Sequence, residues 1–408
     1  MKKISFILSF TIALLLSTFT ILANPSSPDG IDQFIEFAND FLERRTQSLI
    51  EPIHEMIPLS IESNQELAIF SDNIKIVQEP DGIFSDEERI TSDLNELRMA
   101  LLSWGEAYTH FDKEVTLVSY DINNDQTTIV VRELTRLYYD RIHGDEPDYT
   151  AWSVERKFVF IMKEQGWSLL YQELLNSNEF SIPPLNEPLR SEISIDEMLR
   201  SLSTITPFSY NEQDSLLRKS DHELRERNGN HEAWLLTLEN HGVVPLSGTF
   251  NRQAAANYAL LWWNRRNPAF RDFDGRGGNC TNFISQAMRA GGWTDVTGFY
   301  RDASFWWYHF ANQTWSWVGV NHWHDFASIH SGRTIMLSNP RNLFVGEVLQ
   351  VDFDGGTNKG HTMIVTRRTD RDIYLTFNSN DTLNASFSSL VARFPNASWF
   401  SHLVFTHF

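Results

Sequence analysis

Apolar residues recur along this chain at two periods. Ile31, Phe34, Ile35, Ala38, Phe41 and Leu42 keep the i, i+3, i+4 spacing of one helix face, and Ile90, Leu94, Leu97 and Leu101 repeat that stripe. From Val115 the pattern turns extended. Residues 115–122 and 127–139 are β-rich runs around Asn123-Asn124-Asp125, a hairpin signal, and residues 153–162 and 167–172 pair around Glu164-Gln165-Gly166. Helices followed by antiparallel strands predict a small α+β domain over residues 31–176. Residues 177–249 read as a connecting segment: Pro183, Pro184 and Pro188 break the pattern, and residues 211–232 are polar with near-balanced charge. From residue 250 to 408 Trp, Phe, Gly and Asn become dense. Strands are predicted over 344–353, 361–366 and 373–378, and a helix after Cys280 from Phe283, Ile284, Ala287 and Met288, closed by Gly291-Gly292.

Composition narrows the class. With 41% apolar and 13% aromatic residues the chain can bury real cores, which excludes a wholly disordered protein. A net charge of −19 excludes non-specific nucleic-acid binding and repels anionic polymers. Lys2 and Lys3, the apolar run 4–22 and the small Ala23 read as a secretory signal over residues 1–23. The expectation is a secreted protein, held at the cell surface if the signal is retained. No later stretch is apolar enough to span a membrane, so none is expected in the mature form. Cys280 is the single cysteine. Exported proteins usually pair their cysteines or avoid them, so a lone thiol shifts the reading toward function.

The stretch from Asp272 to Ala287 surrounds that thiol. Gly275, Gly277 and Gly278 make a loop, and Asn279 or Thr281 can cap the helix that follows, which puts Cys280 in its first turn. The helix start favours an anion, so a lowered thiol pKa is expected there, and the Cys280 N–H can help to hold an oxyanion. Asp272-x-Asp274 lacks the further oxygen ligands of a calcium loop and reads as turn formation; no metal and no cofactor are expected. His361 opens a strand and is the candidate base. A hairpin turn centred on Thr369-Asp370 puts Asn378 opposite His361; one centred on Asp370-Arg371 puts Asn380 there, with Asn378 diagonal. Either amide can fix the imidazole tautomer, and the third residue stays open between them. His322-Trp323-His324 reads as packing, with no third ligand at a matching spacing.

Six segments then carry a resemblance. They are Phe250 to Ala259, Arg266-Asn267-Pro268-Ala269-Phe270, Asp274 to Gln286, Trp315-Ser316-Trp317, Gly360-His361-Thr362, and Ser379-Asn380-Asp381-Thr382-Leu383-Asn384. Together they resemble the amidase domain family of secreted bacterial proteins, which is similar in plan to papain-like cysteine hydrolases. The resemblance implies a Cys-bearing helix packed on an antiparallel sheet, with the nucleophile on Cys280 and the base on His361. The family commonly has Asp where this chain has Asn279, and often His where it has Asn378; an Asn in the third role orients the base. Asn279, Asn282, Gln286 and Asn380 are candidates for substrate or oxyanion contacts. The N-terminal zone resembles the curved sheets of cystatin-like and nuclear-transport-factor-like domains and reads as a spacer or recognition module. The expected function is a secreted cysteine-dependent amidase or peptidase working through a Cys280–His361–Asn378 thioester mechanism. Its partner is a peptide or amide substrate, including those of peptidoglycan. The alternative is a secreted non-catalytic binder with a ligand groove lined by Trp306, Trp307, Trp315, Trp317 and Trp323.

Overall fold

The computed structural model describes residues 30–51, 69–71, 74–75, 83–123, 125–140, 147–163, 166–175, 181–187, 195–203, 249–274 and 279–406, with residues 177 and 276. The leader over 1–23, the polar run 211–232 and Gly275, Gly277 and Gly278 lie outside the described residues.

Helix α1 (Asp32–Gln47) buries Phe34, Phe37, Ala38, Phe41 and Leu42, the apolar stripe of its sequence. Two short strands follow, β1 (Ile69–Ser71) and β2 (Ile74–Lys75), then helix α2 (Ile83–Trp104). Strands β3 (Tyr108–Ile122), β4 (Gln126–Tyr139), β5 (Tyr149–Lys163) and β6 (Gly166–Leu174) form an antiparallel meander. Along β4 the burial alternates residue by residue, as a strand with one covered face requires. The cover on that face is α1, where Phe34 meets Phe160 at 4.8 Å and Phe41 meets Phe158 edge-on at 5.7 Å. Helix α3 (Ile195–Ser203) packs beside α2.

Helix α4 (Arg252–Trp262) is capped by Asn251, whose side chain accepts the Ala254 N–H. Helix α5 (Cys280–Ala290) closes before Gly292, at φ +113°, where a Cβ would stand 2.6 Å from the Thr249 carbonyl. The ribbon β7 (Tyr308–His309) and β8 (Asn312–Gln313) and the short helices α6 (Trp315–Val318) and α7 (Val320–His324) lead to the remaining strands. These are β9 (Thr334–Leu337), β10 (Val348–Asp352), β11 (His361–Arg368), β12 (Ile373–Phe377) and β13 (Asp381–Ser386), then helix α8 (Phe387–Arg393) and β14 (Ser398–Val404). The strands run in the order β9-β14-β10-β11-β12-β13, all antiparallel, and α5 packs on β11.

The architecture is α+β, as expected, but the two zones share one sheet. Asp381, Thr382 and Leu383 of β13 pair with Ser153, Trp152 and Ala151 of β5. On that edge β5 gives residues 151–153 to β13 and residues 156–163 to β6, which makes a continuous sheet of 12 strands among the described residues. Tyr374 and Ala392 join Leu94, Leu97, Tyr139 and Trp152 in one buried cluster across the junction.

The tryptophan-lined groove of the binder reading is corrected. Trp306, Trp317 and Trp323 are fully buried and form a core with Trp293 and Phe326. Two of the indole N–H groups are satisfied inside it: Trp306 donates to Ser285 Oγ at 3.1 Å and Trp317 to Asn282 Oδ1 at 2.8 Å. Trp315 remains exposed at 41%. No helix among the described residues is long and apolar enough to cross a membrane.

Candidate active site

Cys280 is the first residue of α5, and Asn279 occupies the cap position. The Asn279 side chain makes no capping bond to the backbone; its Oδ1 accepts from Asn282 Nδ2 at 2.6 Å instead. Thr281, the other cap candidate, turns its hydroxyl onto Thr362 Oγ1 at 3.1 Å. The residue after Cys280 therefore bonds the residue after His361, and the start of α5 is fastened to the start of β11.

The thiol is 6% exposed. Burial pushes its pKa up, while the Thr281 hydroxyl and the N–H groups of Thr362, Thr281 and Cys280 itself pull it down. The net shift is upward, which corrects the expectation of an acidic thiol. The helix start does supply donors, but leaving water outweighs them.

His361 is buried at 1% and pairs with Val351 of β10. Its ring stands edge-on to Phe377 at 5.1 Å. The register on its other side differs from both expected ones. The turn closes from Thr369 N–H to the Asp372 carbonyl, and Arg368 pairs with Ile373. A bulge between Val365 and Arg367 then shifts the ladder by one, so that Ile364 faces Thr376. Strand β12 ends at Phe377, and Ser379 and Asn380 both take φ +66° in a turn. Asn378 thus belongs to a turn rather than to a strand position opposite His361.

That turn is nonetheless brought to the cysteine. The Asn279 N–H donates to Ser379 Oγ at 2.8 Å. Asn378 Nδ2 donates to the Trp263 carbonyl at 2.7 Å and to Asp381 Oδ1 at 3.3 Å. Arg266 grips Asp381 with two nitrogens at 3.0 and 2.9 Å and Asp274 with Nε at 2.7 Å, which ties the loop before Cys280 to the turn after β12. Burial still pushes the Asp381 carboxyl up to about 6. Asp272 Oδ1 accepts the Asp274 N–H at 2.8 Å, so these aspartates make a turn and an ion pair.

The other candidates separate. Both amide protons of Asn282 are committed, to the Arg271 carbonyl at 3.0 Å and to Asn279, and its oxygen accepts from Trp317. Gln286 accepts the Tyr258 hydroxyl at 2.5 Å. Asn380 points away, to the Ile182 carbonyl at 3.0 Å, and anchors the connecting segment. A small pocket is lined by Asn279, the residue before Cys280, with Trp262, Arg266, Gln286 and Asn378 among others. Ser379, Thr362, Arg266 and Asp381 escaped the sequence reading. All four stand in segments that carry the family resemblance, which was the available signal.

Residues 249–401 match the sequence model of the family described as "Putative amidase domain". At that coarse level the segment is similar to amidase-type hydrolase domains. Over 243 residues the chain is 25% identical to the uncharacterized protein YhbB of Bacillus subtilis (strain 168), spanning 59% of this chain and 68% of that protein. Among solved structures, the intermembrane space region of the chloroplast protein ARC6 aligns with 37% of this chain and 98% of its own, at 11% identity and a TM-score of 0.22. The Kfla4162 protein from Kribbella flavida aligns with 36% of this chain and 91% of its own, at 18% identity and a TM-score of 0.20.

Proposed function

We propose that the amidase-like segment hydrolyses amide bonds with Cys280 as nucleophile and His361 as the base and then the acid. Asn378 orients His361. The observation that carries this reading is the hydroxyl bond of 3.1 Å between Thr281 and Thr362, which fastens the Cys280 helix to the His361 strand. In the first half-reaction the Cys280 sulfur attacks the substrate carbonyl carbon and its proton passes to His361. The C–N bond breaks as His361 gives that proton to the leaving amine, and a thioester remains. Water then attacks the thioester and gives a proton to His361, which returns it to the departing sulfur as the carboxylic acid leaves. A thiol held protonated by burial suits a site in which proton transfer and attack coincide.

The oxygen of Asn279 is taken up by Asn282, so its NH2 end and the Cys280 N–H are the candidate oxyanion donors. The NH2 group of Asn378 is spent on Trp263 and Asp381, which leaves its oxygen to accept the imidazole N–H. The charged leader supports action outside the cytoplasm on peptide or amide substrates, cell-wall peptides among them. A panel of peptide amides and peptidoglycan fragments, with products read by mass spectrometry, tests the reading. Turnover should fall by roughly 1000-fold in Cys280→Ser and in His361→Ala. Retained turnover in either variant sinks the assignment.

A further inference from the structure

A file of buried polar side chains leaves the thiol and crosses the sheet. Cys280 Sγ lies 3.8 Å from Thr281 Oγ1, and Thr281 Oγ1 lies 3.1 Å from Thr362 Oγ1. Thr362 Oγ1 lies 3.2 Å from Gln350 Nε2, and Gln350 Oε1 lies 3.1 Å from His402 Nε2. Thr281, Thr362, Gln350 and His402 are each buried. The file spans α5, β11, β10 and β14, neighbours in the fold and far apart in sequence.

Its direction is fixed at one point. Gln350 Nε2 also meets the Val320 carbonyl at 3.0 Å, and a carbonyl can only accept. Nε2 is therefore the NH2 end of the amide, and Oε1 accepts from His402 Nε2–H, which also faces His324 Nδ1 at 3.3 Å. His402 Nδ1 is then the acceptor, with the Ser328 and Thr334 hydroxyls at 3.1 and 3.2 Å. On the other side Thr362 accepts from Gln350, which leaves its own proton available to Thr281. The Thr281 proton is left for the sulfur. With the protons placed this way each oxygen in the file accepts one hydrogen bond from the residue before it, and one unbroken line of donors runs from His402 to Cys280.

The geometry points to Thr281, Thr362, Gln350 and His402 as a donor-directed chain that stabilises the Cys280 thiolate, with Thr281 as the residue in contact and the other three as positioning residues. Hydrogen bonds in a file polarise one another, so the last hydroxyl is a better donor to an anion than an isolated threonine. The titratable groups around the chain are His361 at the sulfur end, with His324 and Lys359 beside His402 at the other. Burial, His324 and Lys359 all press His402 toward its neutral form, and burial and Lys359 bring His324 down to about 4. The single-proton tautomer that the chain requires therefore holds at neutral pH. The inference rests on the proposed role of Cys280 as nucleophile.

The test uses the full chain and the rate of alkylation by iodoacetamide against pH, which reports Cys280 alone because no other cysteine exists. Thr281→Val keeps the branched shape and removes the hydroxyl. It should raise the apparent thiol pKa by about one unit, a fall of about tenfold in rate at neutral pH. Thr281→Ser should stay within about twofold of wild type. Gln350→Met touches no atom of the cysteine, yet should shift the same profile in the same direction by about two- to threefold. A Thr281→Val profile that superimposes on wild type, in a protein with unchanged circular dichroism, overturns the chain. So does a Gln350→Met shift of opposite sign. His361→Ala run in parallel separates the two readings: a shift there with none in Thr281→Val removes the chain and leaves the Cys–His pair. The reverse result supports the chain and removes the pair.

Discussion

Arg266 holds Asp381 through two nitrogens, at 3.0 and 2.9 Å, and in doing so braces the turn from which Asn378 projects. The same guanidinium reaches Asp274, six residues before Cys280. A planar fork suits this bridge and an ammonium does not. Arg266→Lys should therefore lower turnover by about tenfold while leaving the fold intact. Arg266→Met should cost about 2 kcal/mol as well, because a buried carboxylate is left without its cation. Urea unfolding beside turnover checks both, and equal turnover in Arg266→Lys would show that the brace does not position the site.

Ser379 accepts the Asn279 N–H in a left-handed backbone conformation, φ +66°. Losing its hydroxyl leaves a buried donor unmet, at about 1–3 kcal/mol. Glycine relieves the backbone strain and alanine does not, a difference of about 1 kcal/mol. Ser379→Ala should thus be the less stable of the two, the reverse of the order seen inside a helix or strand. Thermal melts of the pair give the sign directly.

Much of this site could be read from the sequence for local reasons, and the rest is long-range. Helical spacing after Cys280 marked α5, and the apolar run at His361 marked β11, because each pattern is complete within a few residues. The position of Asn378 failed by one register step. The cause is the bulge beside Thr366, whose hydroxyl bonds Thr376 at 2.7 Å and the Asn384 side chain at 2.9 Å. A bulge stabilised from a third strand leaves no mark in the hairpin's own sequence. The rise in thiol pKa was hidden for a similar reason. It depends on how tightly β11 covers α5, whereas the helix-start argument is purely local. Ala151 meeting Leu383 had no signal at all, since strand alternation gives a face and not a partner.

Glu347 offers a pH test of the same sheet. Its carboxylate accepts from Arg252 Nε at 2.9 Å, from the Phe344 N–H at 2.9 Å and from the Val404 N–H at 3.3 Å, yet burial pushes it up to about 7. Because the folded value lies above the unfolded one near 4.3, the folded state binds the proton more tightly. Its contribution is fully present below about pH 4.3 and is gone above about pH 7. Glu347→Gln removes that titration. The stability of the variant relative to wild type should therefore rise with pH across this window, by up to about 4 kcal/mol. Denaturant unfolding at both ends of the window measures it. A difference that is flat with pH would mean that Glu347 is ionised throughout.

The shared sheet changes what the N-terminal zone is for. A spacer would leave residues 249–408 self-sufficient, but β13 takes its outer partner from β5. The Tyr139 hydroxyl donates to the Asn384 carbonyl at 2.9 Å, and Arg393 donates to the Pro184 carbonyl at 3.1 Å. Helix α8 lies against α2 and α3, and Ser201 bonds the Val391 carbonyl at 3.2 Å. Removing residues 1–248 would bare the edge of β13 and the apolar side of α8 together, and an exposed edge beside apolar surface invites aggregation. Strand β13 follows directly on the turn that holds Asn378 and Ser379, so the loss would reach the site. A fragment of residues 249–408 should therefore be insoluble, or melt at least about 10 °C below the full chain, as expected for a deficit of several kcal/mol in a domain of this size. Its Cys280 should alkylate faster, since the cover over the thiol loosens when the turn does. A soluble fragment melting cooperatively within a few degrees of the full chain, with an unchanged alkylation rate, would show that the β5–β13 pairing is incidental to both fold and site.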